Sequence, residues 1–246
     1  MFTQSAAFYD ALYAGRGKDY RAESESLAER IRGLRPGAVS LLDVGCGTGA
    51  HLAEFDRLGF ACRGVDADLK MVAIARSRCA ELQIEPGDME TLDLGARFDV
   101  VTCLFAVSGY ARTPERLRTT IGRLAAHLKE NGLLLVEPFL SFDEYRAGRI
   151  DAVFVDEPAL KIARMSVSRQ MGRIALLDFN YLVATPTGIE RLFERHEMGL
   201  FNEADYRRAF EEAGLRFEAA DDPGLGFGRR LFIGQAPHVE TGIAER

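Results

Sequence analysis

Short apolar runs alternate with segments of helical period through the first 140 residues. Ser40–Val44 predicts a strand, and Ala50–Leu58 predicts a helix that Gly59 ends. Ala61–Val65 predicts a second strand, followed by a helix over Leu69–Cys79 with Leu69, Val72 and Ala73 on one face. Leu82 and Ile84 mark a brief third strand. Phe98–Phe105 shows no alternation, as expected where both faces of a strand are covered. Thr113 caps a helix that has Pro114 in its first turn, predicted to run to Lys129 and stop at Asn131-Gly132. Leu133–Val136 is another short buried strand. This order predicts a parallel sheet wrapped by helices on both faces.

After Phe142 the pattern changes. Ala152–Val155, Leu160–Arg169, Ile174–Val183 and Ile189–Met198 are strand-like, joined by Glu157-Pro158, Met171-Gly172 and Pro186-Thr187-Gly188. Connections this short favour antiparallel pairing. Residues 149–199 therefore read as a small antiparallel β insertion covering the substrate side of a domain formed by 1–148 and 200–246, because roughly 50 residues make only a marginal core. A last helix runs from Glu203 to Ala213 between Asn202 as cap and Gly214 as stop, and Leu231–Ala236 is the final strand.

Composition narrows the partners. The chain has 246 residues, 47% hydrophobic and 28% charged, with a net charge of −6. No Lys/Arg run is long enough to track a phosphate backbone, so a nucleic-acid partner is not expected. No apolar stretch reaches membrane-spanning length and the start, MFTQSAAFYDAL, lacks a signal pattern, so a soluble cytoplasmic protein is expected. Cys46, Cys62, Cys79 and Cys103 show no paired spacing and read as buried free thiols. His51, His127, His196 and His238 are scattered, so no metal site is expected. His51 opens the helix after the glycine turn and is expected to face away from the strand ends, in a surface or packing role.

The chemistry gathers at LLDVGCGTGAH, residues 41–51. Gly45, Gly47 and Ala50 fit the spacing of a dinucleotide-binding turn. Asp43 argues against that ligand, since a carboxylate two positions before the first glycine repels a pyrophosphate and attracts an ammonium group. No Lys or Arg lies between Arg35 and Arg57 to compensate. Asp66, 21 positions after Gly45, suits the hydroxyls of a ribose. Asp88 in GDME ends the third strand, where it can accept from an adenine amino group. Taken singly these are ordinary turn residues; in this order they favour S-adenosylmethionine.

LLDVGCGTG, VDAD, GDME and FDVVTCLFA resemble the motifs of class I S-adenosylmethionine-dependent methyltransferases. The resemblance implies a Rossmann-like sheet of seven strands, with Leu231–Ala236 as the antiparallel seventh. FYDALYAGRGKDYRAE, VEPF and GRRLFIG are similar to the antibiotic aminodeoxysugar N,N-dimethyltransferases. That likeness implies a small-molecule acceptor from specialised metabolism, an amino group as nucleophile, and a homodimer. It also implies a cofactor set of Tyr20, Asp43, Gly45, Cys46, Gly47, Asp66, Ala67, Met71, Asp88, Met89 and Leu104. Tyr9, Tyr13, Phe139, Arg229 and Arg230 become candidates for the acceptor.

The sugar enzymes carry Gly-His after the fourth strand, where this chain has Gly109-Tyr110. A tyrosine with an ordinary pKa near 10 accepts a proton less readily at pH 7 than a histidine near 6.5. Tyr110, Glu137 and Tyr13 are the candidate catalytic residues; Glu137 reads equally well as a carboxylate bonded to backbone near Pro138, and Tyr110 as a substrate wall. The chemical alternative is C-methylation of an electron-rich aromatic such as an indole. Alternatives of other kinds are an NAD-dependent oxidoreductase and a non-catalytic adenosylmethionine-binding module.

Overall fold

The computed structural model describes residues 2–221, 225 and 230–238. Five parallel strands, β1 (Ser40–Val44), β2 (Ala61–Asp66), β3 (Gln83–Pro86), β4 (Phe98–Cys103) and β5 (Leu128–Val136), lie in the order β3-β2-β1-β4-β5. Every residue of β4 is buried, which explains its unbroken apolar run. On one face Leu42, Val44, Val101 and Leu134 pack with Leu117, Ile121 and Leu124. On the other, Leu41, Val100, Leu133 and Leu135 pack with Leu27, Ala28, Ile31 and Phe55.

The helices are α1 (Tyr9–Ala14), α2 (Tyr20–Leu34), α3 (Ala50–Arg57), α4 (Leu69–Arg78), α5 (Pro114–Ala126) and α6 (Glu203–Glu212). Helix α5 stops at Ala126 rather than reaching Lys129. The His127 ring ends it: Nδ1 lies 2.7 Å from the Arg123 carbonyl, while Nε2 accepts from the Leu94 amide at 3.0 Å. Leu128 already belongs to β5.

A second sheet holds β6 (Ile150–Glu157), β7 (Leu160–Met171), β8 (Ile174–Thr185) and β9 (Gly188–Gly199), all antiparallel. These strands are longer than their apolar runs because the polar turns continue the ladders. Its inner face packs Val153, Val155, Ile162, Phe179, Tyr181 and Val183 around Leu12 of α1. Its outer face leaves Ile150, Phe154, Met165, Val167, Leu182 and Phe193 exposed.

The chain then returns to the main sheet through β10 (Arg216–Asp221) and β11 (Arg230–Gln235). Strand β11 lies antiparallel between β5 and β10, completing seven strands in the order β10-β11-β5-β4-β1-β2-β3. The direction of winding reverses between β1 and β4, and a crevice forms outside the carboxyl ends of strands at such a point.

Candidate active site

A cavity of about 560 Å³ occupies that crevice. Its floor is the turn after β1, where Gly45, Gly47 and Gly49 all have positive φ, between 56° and 78°. Gly45 is required twice over. Its φ of 78° disfavours a side chain, and a Cβ there would sit 2.5 Å from Cγ1 of Val107. The Gly47 amide donates to Asp66 Oδ2 at 2.8 Å and the Asp68 amide to Asp66 Oδ1 at 2.8 Å, so backbone donors aim the Asp66 carboxylate along the cavity. A carboxylate has about four lone-pair sites, and two remain for a ligand.

Asp43 is 2% exposed, and its Oδ1 accepts from the Thr102 hydroxyl at 2.7 Å. Burial pushes its pKa up, with His51 and the Thr102 bond pulling the other way. No cation among the described residues forms an ion pair with it, so an ammonium or sulfonium group arriving in the cavity would relieve a buried anion. A diphosphate there would aggravate it.

Tyr9, Tyr20, Asp43, Gly45, Cys46, Gly47, Asp66, Ala67, Met71, Asp88, Met89, Leu104 and Tyr110 all line this one cavity. Three other candidates, Tyr13, Phe139 and Arg230, are not part of that lining. Tyr13 packs behind the lining, its ring 4.6 Å from that of Tyr9 and 4.8 Å from that of Phe105. Phe139 lies against Tyr145 and Tyr110 in a separate apolar cluster. Arg230 starts β11, exposed, 3.4 Å from Glu203. Arg229 lies outside the described residues.

Glu137 is 1% exposed and its Oε2 accepts from the Phe105 amide at 2.7 Å; its own carbonyl accepts from Ala106 at 3.2 Å. Phe105 and Ala106 have φ values of 52° and 66°, rare for residues with side chains. Glu137 thus clamps a strained turn that presents Phe105 to the cavity. The backbone bond expected near Pro138 is made to this turn instead.

Several lining residues carry no local signature. His51 does not face away. It is 6% exposed, lines the cavity, and its Nε2 lies 2.9 Å from Glu23 Oε2. Glu23 is held by Lys18 at 2.5 Å, and Lys18 in turn sits 3.9 Å above the Phe105 ring. Burial raises the Glu23 pKa, but His51 and Lys18 outweigh it and the net shift is downward. Phe2 also lines the cavity, and the exposed or half-exposed Arg112, Arg116, Arg195 and Glu197 form its mouth. Sequence spacing could have flagged Glu194 and His196, which stand two apart on one face of β9 with Met198. Among the described residues no group of His, Cys, Asp and Glu gathers as metal ligands.

Residues 41–132 match the methyltransferase domain family. The chain is 38% identical over 229 residues to a dTDP-4-amino-2,3,4,6-tetradeoxy-D-glucose N,N-dimethyltransferase of Saccharopolyspora spinosa, covering 93% of this chain and 91% of that one. The chain belongs to the class I S-adenosylmethionine-dependent methyltransferases. The crystal structure of the Streptomyces venezuelae protein DesVI superposes on this methyltransferase with a TM-score of 0.89 at 36% identity, covering 95% and 98% of the two chains. An amino pentose methyltransferase from Micromonospora echinaspora, solved with S-adenosylmethionine bound, gives a TM-score of 0.84 at 35% identity, covering 92% and 95%. Within its class the methyltransferase groups with the aminosugar N,N-dimethyltransferases.

S-adenosylmethionine is its methyl donor, and no dinucleotide oxidoreductase is among these relatives. The cavity fits that donor on its own evidence: a glycine turn that a Cβ would block, a buried Asp43 with no ion-pair partner among the described residues, and an Asp66 carboxylate with lone pairs left for a ligand.

Proposed function

We propose that this methyltransferase methylates the amino nitrogen of a nucleotide-linked aminodeoxysugar. The observation that carries the reading is likeness along 93% of the chain, including the second sheet, to an enzyme named for that substrate class. Two features of the cavity support it. The mouth carries the guanidinium groups of Arg112, Arg116 and Arg195, donors suited to a phosphate, although each now shares a carboxylate with Glu197, Glu90 or Asp178. The lining also includes Tyr110, a side chain with a hydroxyl.

In this reading Asp66 takes the ribose hydroxyls of the donor, Asp88 the adenine amino group, and Asp43 with Tyr20 faces the methionine end. Cys46, Gly47, Ala67, Met71, Met89 and Leu104 give the cofactor its walls. Bound S-adenosylmethionine supplies an electrophilic methyl carbon. The protein's own task is alignment, which contributes up to roughly 7–11 kcal/mol in the best intramolecular reactions. Tyr9 and Tyr110 border the acceptor side, while Tyr13 and Phe139 support them from behind. Arg229 or Arg230 is a further contact for the acceptor's anionic part.

Residues 149–199 form the insertion between the two parts of the donor domain, 1–148 and 200–246. The exposed apolar face of the second sheet, with Phe154, Met165 and Phe193, suits a second copy of the chain. The cysteines are free thiols, in keeping with the reducing cytoplasm, and no helix among the described residues is long and apolar enough to cross a membrane.

Mass spectrometry after incubation with S-adenosylmethionine and a panel of thymidine diphosphate aminosugars, simple amines and indoles tests the reading. A gain of one CH₂ or two on an aminosugar nucleotide is expected. A gain on an indole carbon alone, or on no amine, overturns it.

A further inference from the structure

Supplying a methyl group does not by itself make an amine reactive. An alkyl ammonium with a pKa like that of lysine, about 10.4, leaves roughly one nitrogen in a few thousand unprotonated at pH 7. A proton acceptor inside the cavity would let the abundant protonated form be used as it binds.

The Tyr110 hydroxyl lies 2.6 Å from Nδ1 of His196, which comes from β9, 86 residues away. His196 is 1% exposed, with its ring centroid 4.2 Å from that of Phe2 and 5.1 Å from that of Phe179. Its Nε2 has no hydrogen-bond partner among the described residues, although Glu194 Oε2 stands 3.9 Å away. That separation is too long for a hydrogen bond and short enough for charge attraction. Glu194 is itself fixed by the Ser5 hydroxyl at 2.7 Å and the Gln4 and Ser5 amides at 2.6 and 3.1 Å. Buried side-chain polar atoms ordinarily have a hydrogen-bond partner, and an exception calls for an explanation. Here one nitrogen meets the hydroxyl of a residue that lines the cavity, and the other lies 3.9 Å from a carboxylate.

Resting on amine methylation as the reaction, we propose that Tyr110 and His196 act as one proton acceptor for the substrate nitrogen. The ammonium N–H bond breaks and its electron pair stays on nitrogen. The proton goes to the Tyr110 oxygen as the phenol's own proton passes to Nδ1 of His196. The phenol is regenerated, and the positive charge ends on the imidazole beside Glu194. Tyr110 is the catalytic residue of the pair, and His196 is the positioning residue that gives the proton a destination. Leaving water lowers the ammonium pKa toward that of the ring.

The groups facing the pair are Glu194 on β9, Tyr181 on β8, Arg164 on β7, Tyr13 and Tyr9 on α1, and Asp66 at the end of β2. Burial outweighs the pull of Glu194 and lowers the His196 pKa, so the ring rests neutral and ready to accept. Burial raises the Tyr110 pKa, so the phenol keeps its proton until the exchange.

The test uses the full chain, ¹⁵N-labelled at histidine, and its Tyr110→Phe and His196→Asn variants. Tyr110→Phe removes one oxygen and should fold; it is expected to shift the His196 Nδ1 resonance while S-adenosylmethionine affinity stays within about twofold. With a thymidine diphosphate aminosugar, both variants should lose roughly 10²-fold or more in kcat with KM little changed. Wild-type kcat/KM should level off above the imidazole pKa, whereas His196→Asn should keep rising about tenfold per pH unit toward the amine pKa. An unmoved resonance, or variant profiles with the wild-type shape, overturns the pair. A wild-type chain that methylates no amine takes away the functional reading and the pair's role together. The resonance tells that failure apart from a failure of the pair itself.

Discussion

The two sheets divide the labour of the cavity, and they do so by different physics. The main sheet builds its side from strand ends and backbone. Asp43, the glycine turn, Asp66 and Asp88 follow one another in chain order, each held by bonds within a few residues or to the adjacent strand. The second sheet builds its side from long-range side-chain meetings: Tyr110 with His196 across 86 residues, and Ser5 with Glu194 across 189. Donor binding thus rests on local geometry, and acceptor chemistry on tertiary assembly. One fold can keep its donor while its acceptor wall changes.

If that division holds, damage to the glycine turn should produce the largest loss. Gly45→Ala should cost about 2–4 kcal/mol, adding left-handed strain to an overpacked contact with Val107, and should abolish measurable donor binding. Urea unfolding and calorimetric titration read the two effects. Wild-type stability and affinity in this variant would break the comparison at its first step. Asp66→Ala comes next: losing hydrogen bonds to a charged group, about 1.5–3 kcal/mol, should weaken S-adenosylmethionine roughly 10- to 150-fold with the circular dichroism spectrum unchanged.

Glu137→Gln probes the seam between the halves. It keeps an oxygen for the Phe105 amide and removes the charge, so a stability loss of roughly 1 kcal/mol is expected in thermal melts. Donor affinity should fall by less than in Asp66→Ala.

Acid should loosen the anchor of the second-sheet side. Burial raises the Glu194 pKa, but His196 beside it, the Ser5 hydroxyl and the Gln4 and Ser5 amides outweigh this and bring it to about 2. A depressed pKa stabilises the fold above the unfolded value, near 4.3 for a glutamate, and that stabilisation is lost as pH falls toward the folded value. The Ser5 amide resonance should therefore move chiefly between about pH 4 and pH 2. Movement confined to neutral pH would contradict the assignment of Glu194 as its anchor.

The same contrast explains what could be read from sequence. The parallel strands, the insertion's four strands and Asp43, Gly45, Gly47, Asp66 and Asp88 were legible because period, glycine spacing and acids at strand ends are local signals, whereas the other lining residues named in advance came from the family resemblance. Strand β10 was not, since Arg216–Asp221 lies on a sheet edge with no buried residue to set a pattern. The end of α5 was misplaced because His127 terminates it with a ring bond and not with a glycine. His51 reads as a surface residue on a helical wheel; it is buried because Lys18 and Glu23 come from the N-terminal segment to cover it. In the sequence His196 is one of four scattered histidines, and only the fold brings it to Tyr110.

The most direct measurement is a crystal structure with S-adenosylhomocysteine and a thymidine diphosphate aminosugar both bound. The account predicts the adenosyl ligand on the Gly45–Gly49 turn with its ribose at Asp66, and the sugar nitrogen about 2.6–3.2 Å from the Tyr110 oxygen. A sugar nitrogen turned away from Tyr110 toward some other group, with the His196 contact undisturbed, would contradict it.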